Sequence, residues 1–184
     1  RIWDIDDNEY IDYRLGYGPS ILGYADPRVD AAARAGIEVG GVFALSTERE
    51  YDVARRISKM VPAAELVRFS NSGTEAVMAA VRLAKAYTGK DSHIIVEGGY
   101  HGVFDAVLWY VDFEDWDPSM GDPPVAADSY GVPVMMKKLA YFTPLNDANY
   151  LEDVLRKHHS SIGAFLIEPM MGNCCSITAT REYV

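Results

Sequence analysis

Three short polar clusters in this chain carry residue types able to do chemistry. The first, Ser72-Gly73-Thr74-Glu75, lies between the β-prone run Leu66-Val67-Arg68-Phe69-Ser70 and a stretch with Ala76, Val77, Ala80, Val81 and Ala84 at helical spacing. Ser72 and Glu75 fit the Ser-x-x-Glu capping box, in which each side chain satisfies an orphan donor at a helix start. Gly73 lets a ligand approach the backbone, and Thr74 adds a hydroxyl. Such a turn at the end of a strand reads either as an ordinary capped helix or as a phosphate cup, because free N–H groups and the helix dipole both favour an anion.

The second cluster, Glu97-Gly98-Gly99-Tyr100-His101-Gly102, follows the apolar run Ile94-Ile95-Val96. Glycines on both sides of Tyr100-His101 let a flat ring lie against the backbone, with Tyr100 as a stacking face. The same pattern also serves a purely structural turn. The third, Glu168-Pro169, ends the apolar run Ala164-Phe165-Leu166-Ile167, where an ionisable group needs a partner.

The elements that must position these clusters alternate along the chain. Ile2-Trp3-Asp4-Ile5 and Tyr10-Ile11-Asp12-Tyr13 flank Asp6-Asp7-Asn8 as a β-hairpin. Asp26-Pro27 starts a helix that runs to Gly40-Gly41. Thr47 and Glu50 form a second capping box, opening a helix with Val53, Ile57 and Met60 inward and Pro62 as its stop. Strands are expected at 66–70, 94–96, 107–110, 139–142 and, fully buried, at 164–167. Helices are expected from Thr74 to Gly89, over 150–158, and from Thr178 or Thr180 onward. The stretch 113–133, rich in Asp, Pro, Gly and Ser, reads as a long surface loop. The alternation predicts an α/β fold with a mainly parallel sheet covered on both faces. Ligands bind such sheets at the carboxyl ends of the strands, where all three clusters fall.

Composition narrows the partners. The 184 residues suffice for one domain with a small appendage, and a net charge of −10 lacks the basic footprint that nucleic acid requires. No apolar run approaches membrane-spanning length. Cys174 and Cys175 are adjacent, which suits neither a structural disulfide nor metal-ligand spacing, so reduced thiols in the cytoplasm are the default. The chain enters a strand at once without an initiator Met and stops at Val184 within an expected helix, so it reads as a fragment.

Phe69-Ser70-Asn71-Ser72-Gly73-Thr74-Glu75-Ala76, Glu97-Gly98-Gly99-Tyr100-His101-Gly102 and Glu168-Pro169-Met170-Met171-Gly172-Asn173, taken together, resemble the class III aminotransferases. The nearest branch looks like the glutamate-1-semialdehyde aminomutase group. Residues 3–13 and Ile21-Leu22-Gly23-Tyr24-Ala25-Asp26-Pro27 match its N-terminal region, so the resemblance covers essentially the whole chain.

The resemblance implies a fold-type I, aspartate aminotransferase-like, three-layer α/β/α enzyme that uses pyridoxal 5′-phosphate (PLP). Residues 1–45 would belong to a small α+β domain and 46–184 to an incomplete large domain. Ser72, Gly73 and Thr74 would hold the PLP phosphate. Tyr100 would stack on the pyridine ring with His101 beside it, and Glu168 would orient the groups beneath. Asn173 stands where transaminases using ω-amine donors often carry Glu, and is closer to the aminomutase pattern. Tyr17, in Gly16-Tyr17-Gly18-Pro19, is either a substrate-facing aromatic or a packed loop residue.

The Schiff-base Lys and the Asp that pairs with the pyridinium are expected further along such chains. Lys59, Lys85, Lys90, Lys137, Lys138 and Lys157 match no such position and read as solvated surface lysines. This chain alone is therefore expected to bind PLP weakly and to catalyse nothing. The family further implies an amino donor, an oxo acid or aldehyde acceptor, and a homodimer with shared sites. The candidate partner contacts are 40–46 and 115–132.

Overall fold

Local hydrogen bonds from polar side chains shape the first compact unit, Arg1–Val67, of the computed structural model, which describes residues 1–114 and 117–184. Strands β1 (Ile2–Trp3) and β2 (Glu9–Tyr10) pair antiparallel, shorter than the expected hairpin. Asp4 closes the turn by accepting the N–H groups of Asp6 and Asn8 and the Tyr10 hydroxyl. Helix α1 (Pro27–Val39) starts where Asp26 accepts the Arg28 N–H, and it ends at Gly40. Helix α2 (Glu48–Met60) carries the complete capping box: Glu50 N–H to Thr47 Oγ1 at 3.3 Å, and Thr47 N–H to Glu50 Oε2 at 3.0 Å.

The expected inward face of α2 is not buried. Val53 and Met60 are exposed, Ile57 is half-buried, and neither helix has a fully buried residue. The apolar stripe is present, but nothing within Arg1–Val67 covers it.

The second unit, Arg68–Val184, is built on a three-stranded parallel sheet. Helix α3 (Gly73–Thr88) is Ala-rich, is capped by Ser72, and stops at Gly89 in the left-handed conformation. Strand β3 (Ser92–Val96) follows, then the antiparallel pair β4 (Trp109–Val111) and β5 (Val125–Ala127). A 3-10 turn over Val134–Leu139 leads into β6 (Ala140–Thr143), α4 (Ala148–His158) and β7 (Ile162–Leu166). A small hairpin, β8 (Met170–Met171) and β9 (Ile177–Thr178), completes the order.

The sheet runs β6-β3-β7, with β3 central and every one of its residues buried. Alternation sends Ile95 to one face, where Val81 of α3, Val107, Phe142 and Leu166 pack. Ile94 and Val96 face the other side, against Leu151 and Val154 of α4, Met171 and Tyr183. This is the expected α/β/α layering.

Five local expectations are revised. Residues 66–70 form no strand, because no neighbouring strand among the described residues offers them a ladder, and Leu66 is 94% exposed. Val107 turns back through its N–H to the Phe104 carbonyl, so β4 begins at Trp109. The edge strand β7 is not fully buried, since Phe165 is 37% exposed. Nothing helical starts at Thr178, whose carbonyl Asn146 binds, but Thr180 opens a single turn: its Oγ1 accepts the Tyr183 N–H at 3.3 Å and its carbonyl the Val184 N–H at 3.2 Å. The expected 113–133 loop carries β5 and a short 3-10 turn, Pro118–Met120, while its residues 115 and 116 lie outside the described residues.

Candidate functional site

Hydrogen bonds between turns gather the three polar clusters at the carboxyl ends of β3 and β7. The Val103 N–H donates to Thr74 Oγ1 at 3.2 Å, tying the turn after β3 to the start of α3. The Tyr100 N–H donates to Glu168 Oε1 at 2.8 Å, and the Gly172 N–H to Glu168 Oε2 at 3.2 Å. Glu168 thus holds the Tyr100 turn with one oxygen and the β8–β9 hairpin with the other. The Cys174 thiol adds a contact to the Gly98 carbonyl at 3.4 Å.

Two glycines are needed for this closeness. At Gly102, with φ of +102°, a Cβ would stand 2.6 Å from Thr74 Oγ1 and 2.8 Å from Thr74 Cα. At Gly98, with φ of +81°, it would stand 2.7 Å from Cys174 Sγ.

The first turn of α3 departs from the expected box in one detail. Ser72 Oγ accepts the Glu75 N–H at 3.2 Å as expected, but Glu75 Oε2 reaches the Asn71 N–H, at 2.7 Å, rather than that of Ser72. Among the described residues the Gly73 and Thr74 N–H groups have no partner, and a Cβ on Gly73 would meet nothing within 4 Å. Two unpartnered donors therefore stand at the positive end of a sixteen-residue helix, with open space around Gly73.

Around this cup the titratable groups are shifted by burial. His101 is 8% exposed, and its Nε2 is buried without a hydrogen-bond partner. Burial pushes its pKa below the usual imidazole range, against the opposing pull of the Glu168 charge. Burial likewise raises the Glu97 carboxyl, although the Val111 N–H bound to it at 3.1 Å acts the other way. Tyr100 leaves its ring 57% exposed. Asn173 is exposed in the turn of the β8–β9 hairpin, next to the Gly172 that Glu168 holds.

Ser72, Gly73, Thr74, Tyr100, His101, Glu168 and Asn173 thus lie in one connected set of turns. Tyr17 belongs to the other unit: it has φ of +64°, is 84% exposed, and the Arg14 guanidinium sits 4.8 Å from its ring centroid. Lys157 pairs with Asp122 at 3.4 Å, and two further lysines are not freely solvated. Lys85 is half-buried with its pKa lowered by burial, and Lys90 Nζ donates to the His159 carbonyl at 2.6 Å. Sequence reasoning passed over His93, the Val103 N–H and Cys174. A histidine immediately before the apolar run 94–96 was the available signal for the first, whereas a backbone N–H leaves none.

The α/β/α layering, with ligand-ready turns at the carboxyl ends of its parallel strands, defines a fold-type I scaffold. The profile of the aminotransferase class-III family matches residues 1–184, and the chain belongs to that family. A glutamate-1-semialdehyde 2,1-aminomutase of Methanobrevibacter smithii is 39% identical over 184 residues. That match takes in 100% of this chain and 42% of the relative, so the chain spans less than half of that relative's length. An omega-transaminase from Sphaerobacter thermophilus superposes with a TM-score of 0.89 at 31% identity, covering 98% of this chain and 41% of that one. A transaminase with PLP bound superposes with a TM-score of 0.87 at 32% identity, over 98% and 41% of the respective chains. No helix among the described residues is long and apolar enough to cross a membrane.

Proposed function

We propose that this chain builds the phosphate- and ring-binding side of a PLP site in an enzyme that moves an amino group between an amino donor and an oxo acid or aldehyde. The observation that carries the reading is the pair of unpartnered N–H groups at Gly73 and Thr74, at the start of α3 where Thr74 is tied to the turn that carries Tyr100. An anion fits there, and the Ser72 hydroxyl hydrogen remains available to it because Ser72 Oγ serves the cap only as an acceptor. The exposed Tyr100 ring supplies a stacking face, and Glu168 holds its backbone in place. His101, neutral by burial, brings an unpartnered ring nitrogen beside the same turn. When bound, PLP supplies the electron sink for a carbanion at the donor carbon. This chain's residues bind its phosphate, flank its ring and exclude water beneath it. Tyr17 and Asn173 are assigned to the substrate side, the two-domain division stays at 45/46, and the assembly is a cytoplasmic homodimer.

Titration with PLP, followed by absorbance and competed with inorganic phosphate, tests the proposal. Saturable binding that phosphate relieves supports it, and no binding overturns it. Borohydride reduction of the PLP-treated chain is expected to leave no lysine adduct. Selective labelling of one lysine at one PLP per chain would show that it acts as the Schiff-base group after all.

The aminomutase reading is favoured by Asn173 and by the 39% identical relative. A mutase turns over a single amino-aldehyde, whereas a transaminase needs a separate acceptor, so an assay on the holoenzyme with and without acceptor separates them. PLP binding with neither activity would instead identify a non-catalytic binding protein.

A further inference from the structure

We infer that His93 is a positioning residue for the phosphate cup: it holds the Ala106 carbonyl, and through the 102–106 backbone it fixes Thr74 at the start of α3.

His93 sits in the middle of β3 with 0% exposure, and its Nε2 lies 2.8 Å from the Ala106 oxygen. A carbonyl only accepts, so the ring donates from Nε2 and Nδ1 is left a bare acceptor, buried and without a partner. Three neighbouring carbonyls have donors of their own. Phe104 O takes the Val107 N–H at 3.0 Å, Asp105 O the Trp109 indole N–H at 2.7 Å, and Leu108 O the Asp128 N–H at 3.0 Å. Among the described residues, Ala106 O has only His93, and Ala106 is itself buried.

The other end of the turn has no slack. The Val103 N–H is bonded to Thr74 Oγ1, and Gly102 lies close enough to Thr74 that a Cβ there would stand 2.8 Å from Thr74 Cα. Loosening the Ala106 end therefore acts along the 103–106 backbone on Thr74, whose N–H is one of the two free donors of the cup. The ring stays in the neutral, donating form because burial lowers its pKa to about 4, against the opposing pull of its bond to the Ala106 carbonyl, and the positive charge of Lys85 on α3 acts with burial.

The functional half of the inference rests on the phosphate reading; the link from His93 to Thr74 does not. Amide exchange by NMR on the whole chain reads that link at the Val103 N–H, with the Val154 N–H in α4 as reference for global opening. His93→Leu removes the donor and is expected to speed Val103 exchange roughly tenfold relative to Val154. His93→Gln keeps an N–H at similar reach and is expected to restore protection. PLP affinity is expected to follow the same order, weaker in His93→Leu and recovered in His93→Gln. Unchanged Val103 exchange, equal acceleration at Val103 and Val154, or a Gln variant no better than Leu would each overturn the inference. If wild type shows no PLP binding while the exchange pattern holds, the phosphate reading fails and the link from His93 to Thr74 is upheld.

Discussion

Single residues in the site are held by contacts that admit little substitution, and Gly102 is the tightest. Gly102→Ala combines a positive φ with a Cβ 2.8 Å from Thr74 Cα, so it is expected to cost at least about 2 kcal/mol and to weaken PLP binding. Denaturant unfolding and the PLP titration check the two effects separately. Glu168→Ala strips the partner from the Tyr100 and Gly172 N–H groups and is expected to cost about 1 kcal/mol, a modest loss because Glu168 is only half-buried. Faster amide exchange at Tyr100 and Gly172 together is the readout. His93 sets a pH dependence. Its folded pKa of about 4 lies below the usual 6.5, so the unfolded chain binds the extra proton between those values. Stability is therefore fully present above about pH 6.5 and falls by about 3 kcal/mol as pH drops towards 4. Glu97, raised by burial, has the opposite sign, so the difference between wild type and His93→Gln across pH isolates the histidine. A difference that does not change between pH 7 and 4 would contradict the assignment.

Among the elements, α1 and α2 contrast with β3. Both helices are well capped, yet neither buries a residue, whereas all five residues of β3 are buried. Their stability depends on local terms, and isolated helices of thirteen residues are marginal. Amides of α1 and α2 are expected to exchange much faster than those of β3 under native conditions. Thr47→Ala, which removes half of the capping box, is expected to cost about 1 kcal/mol of α2 stability, seen as a loss of helical circular dichroism.

For the whole molecule, exposed apolar surface dominates. Trp3, Val42, Leu45, Leu66, Leu83 and Tyr87 are all more than half exposed, as are many other large apolar side chains. Scattered apolar exposure is ordinary, but this much on one chain favours association. Concentration-dependent self-association by light scattering is the expected outcome, resisted only partly by the net charge of −10. A monodisperse monomer at high concentration would count against it.

Sequence alone determined the capped helix starts, the buried run of β3 and the polar turns that follow β3 and β7. Each rests on chemistry confined to a few neighbouring residues: a hydroxyl two or three residues before a free N–H, an apolar period, a glycine beside an aromatic. The family resemblance lay in the same short motifs. Residues 66–70 show the limit, because β-propensity cannot supply a ladder partner, and the stripe of α2 shows it again, because an apolar face does not bring its own cover. Tertiary structure alone decided that Glu168 reaches across 68 residues to Tyr100, that Gly102 rests on Thr74, and that His93 holds Ala106. These contacts arise from the order β6-β3-β7 and the stagger of the turns beyond it. That order sets distances between residues far apart in the chain, and local composition does not encode them.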